Sequence, residues 1–135
     1  MEMLVHKATL LAAVIQEFEL KCVAYIGSDE TFNDVLLELL GDYELQGLPE
    51  DEEGRPIPAS ADAVYVDEWG NDPLKAIDTA MQLIRPGAFL FGSEYLHSNL
   101  PVMSAVEERF NLMRVQVGPA GTWCTQREVE LKEVA

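Results

Sequence analysis

The apolar positions of this chain repeat with two different periods, and the switches between them mark out its elements. Leu10, Leu11, Val14, Ile15 and Phe18 recur at three- and four-residue spacing, which predicts an amphipathic helix over 7–19. The unbroken run Cys22-Val23-Ala24-Tyr25-Ile26 has strand character. It ends at Gly27-Ser28-Asp29, where Ser28 or Asp29 can cap a helix with Phe32, Val35, Leu36, Leu39 and Leu40 on one face, up to Gly41. Ala63-Val64-Tyr65-Val66 reads as a second strand. Asn71 or Asp72 then caps a helix with Pro73 at its first position, where a missing N–H costs nothing, and Leu74, Ile77, Ala80, Met81 and Ile84 as its stripe. Arg85-Pro86-Gly87 predicts a tight turn into a third strand, Ala88 to Gly92. Asn99 and Pro101 open another helix with Val102, Met103, Val106 and Phe110 inward. Leu112–Val117 and Thr122–Arg127 read as two strands joined by a Gly-rich loop, an antiparallel hairpin.

The order is α-β-α-loop-β-α-β-α-β-β. Alternating strands and helices imply right-handed crossovers and a mostly parallel sheet with helices on both faces, closed by the antiparallel C-terminal hairpin. The fold class is α/β, a single domain over 1–135 without internal repeats. Residues 42–62 stand apart, with three prolines, two glycines and the acid run Glu50-Asp51-Glu52-Glu53. They predict a mobile loop, either a plain solvated connection or a lid or docking segment. Residues 128–135 predict a frayed tail or a short extension.

A length of 135 residues suits one ordinary core, and the hydrophobic share of 48% is normal for a globular protein. No run reaches the roughly 18–20 apolar residues of a membrane span. The Met1-Glu2-Met3 start lacks the basic region of a secretory signal, so the expectation is a cytoplasmic protein. Cys22 and Cys124 fall in strands and are expected as free thiols. With His6 and His97 they lack zinc-ligand spacing.

Charge narrows the partners. Nine basic against 24 acidic residues give a formal net charge of −15. Such a surface repels nucleic-acid phosphate and anionic lipid, which argues against direct binding of nucleic acid or membrane. It would dock on a basic protein, or it simply keeps the chain soluble.

Several segments carry a family likeness. Ala63-Val64-Tyr65-Val66-Asp67 resembles the fourth strand of class I S-adenosylmethionine-dependent methyltransferases, which ends in an acid. Leu83-Ile84-Arg85-Pro86-Gly87-Ala88-Phe89-Leu90 is similar to that family's turn into its fifth strand. Phe91-Gly92-Ser93-Glu94-Tyr95 sits where small-molecule O-methyltransferases often carry Gly-Asp-Asp-Tyr, and Gly121-Thr122-Trp123-Cys124 resembles the closing strand. The resemblance covers about residues 61–127, and 21–40 more weakly. It implies a Rossmann-like methyltransferase-type sheet, with S-adenosylmethionine and a magnesium-type cation as the cofactors to test.

The chain departs from that family where the cofactor would bind. It has no Gly-x-Gly; the only candidate is Ile26-Gly27-Ser28-Asp29-Glu30, with one glycine and two carboxylates. If Cys22 to Ile26 plays the family's first strand, this loop is the cofactor loop. If it plays the third, the cofactor half is absent and the strand at Ala63 needs another neighbour, for example from a second copy. A homodimer is an expectation on either register.

The candidate site follows from the same likeness. Gly27, Ser28, Asp29, Asp67, Glu68 and Trp69 lie at strand ends, where open α/β sheets bind ligands. Asp67 and Glu94 are the candidate metal pair, carboxylates being hard-cation ligands. Asp67, Glu94 and His97 are the candidate catalytic set, each with a plain alternative as an exposed acid, a helix cap or a loop histidine. Trp69 either stacks on a flat ligand or covers the edge of the crevice. Two functional readings follow. One is a degenerate methyltransferase-like domain serving as an acidic, non-catalytic protein-binding module. The other is an active enzyme methylating an oxygen or nitrogen of a small molecule.

Overall fold

The computed structural model describes residues 2–128. In chain order the main elements are α1 (Glu2–Phe18), β1 (Val23–Ile26), α2 (Phe32–Leu40), β2 (Ala61–Val66), α3 (Pro73–Leu83), β3 (Ile84–Gly92), α4 (Leu100–Arg109), β4 (Gln116–Val117) and β5 (Trp123–Gln126). The sheet has five strands in the order β1-β2-β3-β5-β4. β1, β2 and β3 run parallel, and β5 is antiparallel to both β3 and β4. This is the mixed α/β sheet with a closing hairpin that the sequence pattern predicts. β1 lies directly against β2, from Val23 opposite Ala63 to Ile26 opposite Val66. β1 itself therefore fills the place beside β2 that the third-strand register would leave open.

Alternation along the strands sorts the core into two layers. Ala63, Tyr65, Phe91 and Cys124 point to one face and pack under α1 and α2, against Leu11, Ile15, Phe32 and Leu36. Val64, Val66, Leu90 and Trp123 point to the other, under α3 and α4, against Ile77, Ala80, Val102 and Val106. β2 is covered on both faces, so it carries no polar alternation between Ala63 and Val66. Gly92 fits the hairpin because a Cβ there would run into the buried Trp123 indole.

Asp62 ties the lower ends of three strands together. One carboxylate oxygen accepts from the Lys21 and Cys22 amides, each at 2.9 Å, and the other from Arg85 Nε at 2.7 Å. At this point a step of two residues along β2, from Ala61 to Ala63, matches a step of five along β3, from Ile84 to Phe89. The predicted Arg85-Pro86-Gly87 turn is thus a bulge inside a continuous β3, with Gly87 at φ +85°. Ile84, expected on the helix stripe, is a buried strand residue.

Other differences are local. α2 starts at Phe32 after Thr31, and Asp29 turns back to accept from the Thr31 amide and hydroxyl rather than capping the helix itself. Leu39 is exposed. Asp72 caps α3 through the Lys75 amide and Asn99 caps α4 through the Val102 amide, as read from the sequence. The strand expected over Leu112–Val117 shrinks to two residues, because Asn111 accepts from the Met113 amide and turns Leu112–Arg114 into a 3-10 turn.

Residues 42–60 have a defined path. Gln46 bridges to Cys22 at the outer edge of β1, its amide donating to the Lys21 carbonyl at 2.7 Å. On either side of this bridge Leu45 packs under the first layer and Leu48 under the second. Farther on, Asp51 accepts from the Glu53 and Arg55 amides and pairs with the Arg55 side chain, closing a tight acid turn. The expected tail lies, from residue 129 onward, outside the described residues.

The Asp62 clamp has a pH signature. Burial raises its pKa, but the Cys22 amide, the Arg85 guanidinium and the Lys21 amide outweigh that and hold it below the ordinary aspartate value. A lowered folded-state pKa stabilises the fold above the unfolded value of about 3.9, and that contribution fades as pH falls through the folded pKa. Asp62→Asn should cost about 1–3 kcal/mol at pH 7. In urea melts at stepped pH, the gap between variant and parent should close below about pH 4.

Candidate functional site

The C-terminal ends of β1, β2 and β3 step upward together. Asp67 N donates to the Ile26 carbonyl at 2.8 Å, and Ser93 N to the Val66 carbonyl at 3.2 Å. The candidate residues therefore sit on one rim, but the pleat of β2 divides them. Asp67, two residues beyond Tyr65, turns to the α1 and α2 side. Val66 and Glu68 line the α3 side.

Asp67 is enclosed, with only 5% of its side chain exposed. Its Oδ2 accepts from Lys7 Nζ at 3.0 Å and from the Tyr25 hydroxyl at 2.6 Å. Lys7 reaches the rim because α1 crosses the sheet there. The Tyr25 ring stacks on Phe32, with centroids 4.1 Å apart, so its hydroxyl has little freedom. Burial, reinforced by the hydrogen bond to Asp67 and its charge, pushes the Tyr25 phenol well above the ordinary tyrosine range. The same ring covers Gly27: a Cβ built on Gly27 would lie 2.5 Å from the Tyr25 hydroxyl oxygen. The one glycine after β1 thus faces a side chain of its own protein.

Tyr65 lies deeper in the same cluster. It is fully buried, and its hydroxyl has no hydrogen-bond partner among the described residues. Burial first, then the Asp67 carboxylate, Tyr25 and the Glu94 carboxylate, keep its phenol neutral far into the alkaline range. Sequence reasoning missed Lys7, Tyr25 and Tyr65. Their signal was present only as two tyrosines at matched positions of adjacent apolar runs.

The other half of the rim is open. A cavity of about 520 Å³ lies beside β1 and β2, with Ile26, Val66 and Trp69 as its apolar part and Glu68, Asp72 and Lys75 among its polar residues. Trp69 is buried, packs against Trp123 and donates to the Ser93 hydroxyl at 3.3 Å. Ser93 also offers its carbonyl to Trp123 Nε1 at 3.1 Å. The serine that stands in the family's acidic position is thus an indole acceptor here. Of the proposed cofactor residues, Glu68 and Trp69 meet at this cavity, Asp67 belongs to the enclosed cluster, Ser28 is exposed, and Asp29 is turned toward Thr31.

Glu94 takes φ +64°, a left-handed backbone unusual for a residue with a Cβ, and is half-buried. His97 is exposed on the following turn. Among the described residues no group of three or more His, Cys, Asp or Glu side chains is placed to hold a metal ion. Cys22 and Cys124 are free thiols, and burial pushes Cys124 up to about 12. Among the described residues no helix is long and apolar enough to cross a membrane.

No family model matches the chain, and no curated protein matches it. Solved structures do. A SAM-dependent O-methyltransferase from Thermotoga maritima superposes with TM-score 0.57 at 11% identity, over 93% of this chain and 66% of that one. A putative caffeoyl-CoA O-methyltransferase from Staphylococcus aureus gives TM-score 0.61 at 10% identity, over 90% and 82%. Phosphoethanolamine N-methyltransferase 2 from Haemonchus contortus, in complex with S-adenosyl-L-methionine, gives TM-score 0.59 at 13% identity, over 100% of this chain and 39% of that one. This chain spans just under two thirds of the Thermotoga protein. Its mixed sheet, with a parallel trio and antiparallel C-terminal strands, superposes on the class I S-adenosylmethionine-dependent methyltransferase fold.

Proposed function

We propose that this chain is a degenerate methyltransferase-like domain that transfers no methyl group and acts as an acidic binding module for a basic protein. The observation that carries the first half is the enclosed cluster at the ends of β1 and β2. Asp67, the rim acid, is held by Lys7 and Tyr25, and the Tyr25 ring fills the space over Gly27. A cofactor approaching that glycine would have to displace a stacked ring and disturb the half-buried ion pair of Lys7 and Asp67.

The second half rests on where the charge lies. Residues 22–54 contain ten acidic residues and no lysine or arginine. Asp34 and Glu38, one turn apart on α2, are exposed, and so are Asp42, Glu44, Glu50, Glu52 and Glu53 beyond it. Helix and loop together form one anionic flank, suited to steering a cationic partner.

One observation favours the alternative, an active methyltransferase. The cavity beside Trp69 is large enough for a nucleoside-sized body, and similar folds are known with S-adenosylmethionine bound. Calorimetric titration separates the two. The proposal expects no heat of binding with millimolar S-adenosylmethionine, with or without magnesium; saturable micromolar binding would favour the enzyme.

The docking flank has its own test. The immobilised chain should capture a basic protein at low salt and release it as ionic strength rises, since exposed charge pairs are screened. Reversing Asp34 and Glu38 to lysine should abolish capture. The same reversal at Glu107 and Glu108, exposed on α4 on the opposite face of the sheet, should leave most of it. Equal loss from both pairs would reduce the effect to net charge and refute a defined face.

A further inference from the structure

A second cavity, of about 330 Å³, lies at the opposite end of the sheet, between the C-terminal ends of α3 and α4 and the end of β5. In a chain with a net charge of −15 and five arginines, three of those arginines line it: Arg109, Arg114 and Arg127. Met81 and Phe110 supply apolar surface, and Glu128 is the one carboxylate in the lining among the described residues.

The guanidinium groups are held but not exhausted. Arg127 Nη1 donates to the carbonyls of Met81, at 3.2 Å, and Ile84, at 2.6 Å, which anchors the side chain at the end of α3. Arg109 pairs with Asp78 through Nη2, and Arg114 Nη1 donates to Glu128 at 2.7 Å. Each arginine has five N–H donors, so most of them remain unspent among the described contacts. Arg127 is fixed by two carbonyls, while Arg109 and Arg114 sit on the exposed rim.

We infer that this cavity binds a small molecule with an oxyanion and a flat apolar body, an aromatic carboxylate or phosphate ester. The oxyanion meets the fork of N–H groups, which matches carboxylate and phosphate geometry. The ring lies on Phe110 and Met81. Phe110 is itself steadied by Trp123, centroid to centroid 6.0 Å. Glu128 holds Arg114 at the edge of the cavity, and the ligand's oxyanion takes over that contact. This site is independent of the rim at β1 and β2.

Calorimetry on the full chain with phenyl phosphate, benzoate and inorganic phosphate tests the inference. Phenyl phosphate or benzoate should bind saturably, and the stronger of the two identifies the oxyanion. Inorganic phosphate should bind at least about tenfold more weakly, lacking the ring contact. Arg109→Ala and Arg114→Ala, both on exposed side chains, should each weaken binding about tenfold, the loss of a charge-assisted hydrogen bond. Glu128→Gln should tighten it by freeing Arg114. The inference fails if neither aromatic anion binds at millimolar concentration, if the arginine variants bind like the parent, or if Glu128→Gln weakens binding. Circular dichroism of the variants distinguishes a lost site from a lost fold.

Discussion

The pleat of β2 is the constraint on which the rest of the structure depends. This strand is central to the parallel trio and buried on both faces, so each of its side chains is committed to one layer or the other. Tyr65 and Asp67 are sent toward α1 and α2; Val66 and Glu68 are sent toward α3. A single rim of acids in the sequence thereby becomes two unlike environments in space. One is sealed by an ammonium group and a phenol; the other is an open, partly apolar cavity.

The sealed half depends on aromatic packing as much as on charge. Tyr25, Phe32, Tyr65 and Phe91 form a chain of ring contacts across the sheet. Stacking on Phe32 delivers the Tyr25 hydroxyl to Asp67 and, with the same motion, lays the ring over Gly27. The outer edge of β1 is handled with similar economy. Beyond β1 the sheet has no further strand among the described residues, and the segment around Gln46 crosses the edge instead, placing Leu45 on one face and Leu48 on the other. A loop of Pro and Gly composition thus does in part what a neighbouring strand would do.

Much of the fold was legible because its signals are local. Apolar runs at Val23, Ala63 and Ala88, the caps Asp72 and Asn99, and Pro73 at a helix start each carry their own physical reason. One misreading turns on strand pairing, the other on a side-chain hydrogen bond that competes with strand formation. Arg85-Pro86-Gly87 has turn composition, yet Asp62 on the neighbouring strand holds it as a bulge. Leu112–Val117 has strand composition, yet the Asn111 side chain captures the Met113 amide. The site was legible as a rim and not as an arrangement. That Asp67 and Glu68 would face apart follows from alternation, but that Lys7 would reach Asp67 across 60 positions has no sequence signal. The three arginines of the far cavity are spread over positions 109 to 127, and only the fold gathers them.

The rim is closed only if the protein's own groups hold Asp67. A double-mutant cycle with Tyr25→Phe and Asp67→Asn, read as unfolding free energies at pH 7, measures that contact directly. A half-buried, charge-assisted hydrogen bond of this kind predicts a coupling of about 1.5–3 kcal/mol. Additive single-mutant effects, within about 0.5 kcal/mol, would mean that Tyr25 does not hold Asp67 in solution, and the closed rim would have to be abandoned.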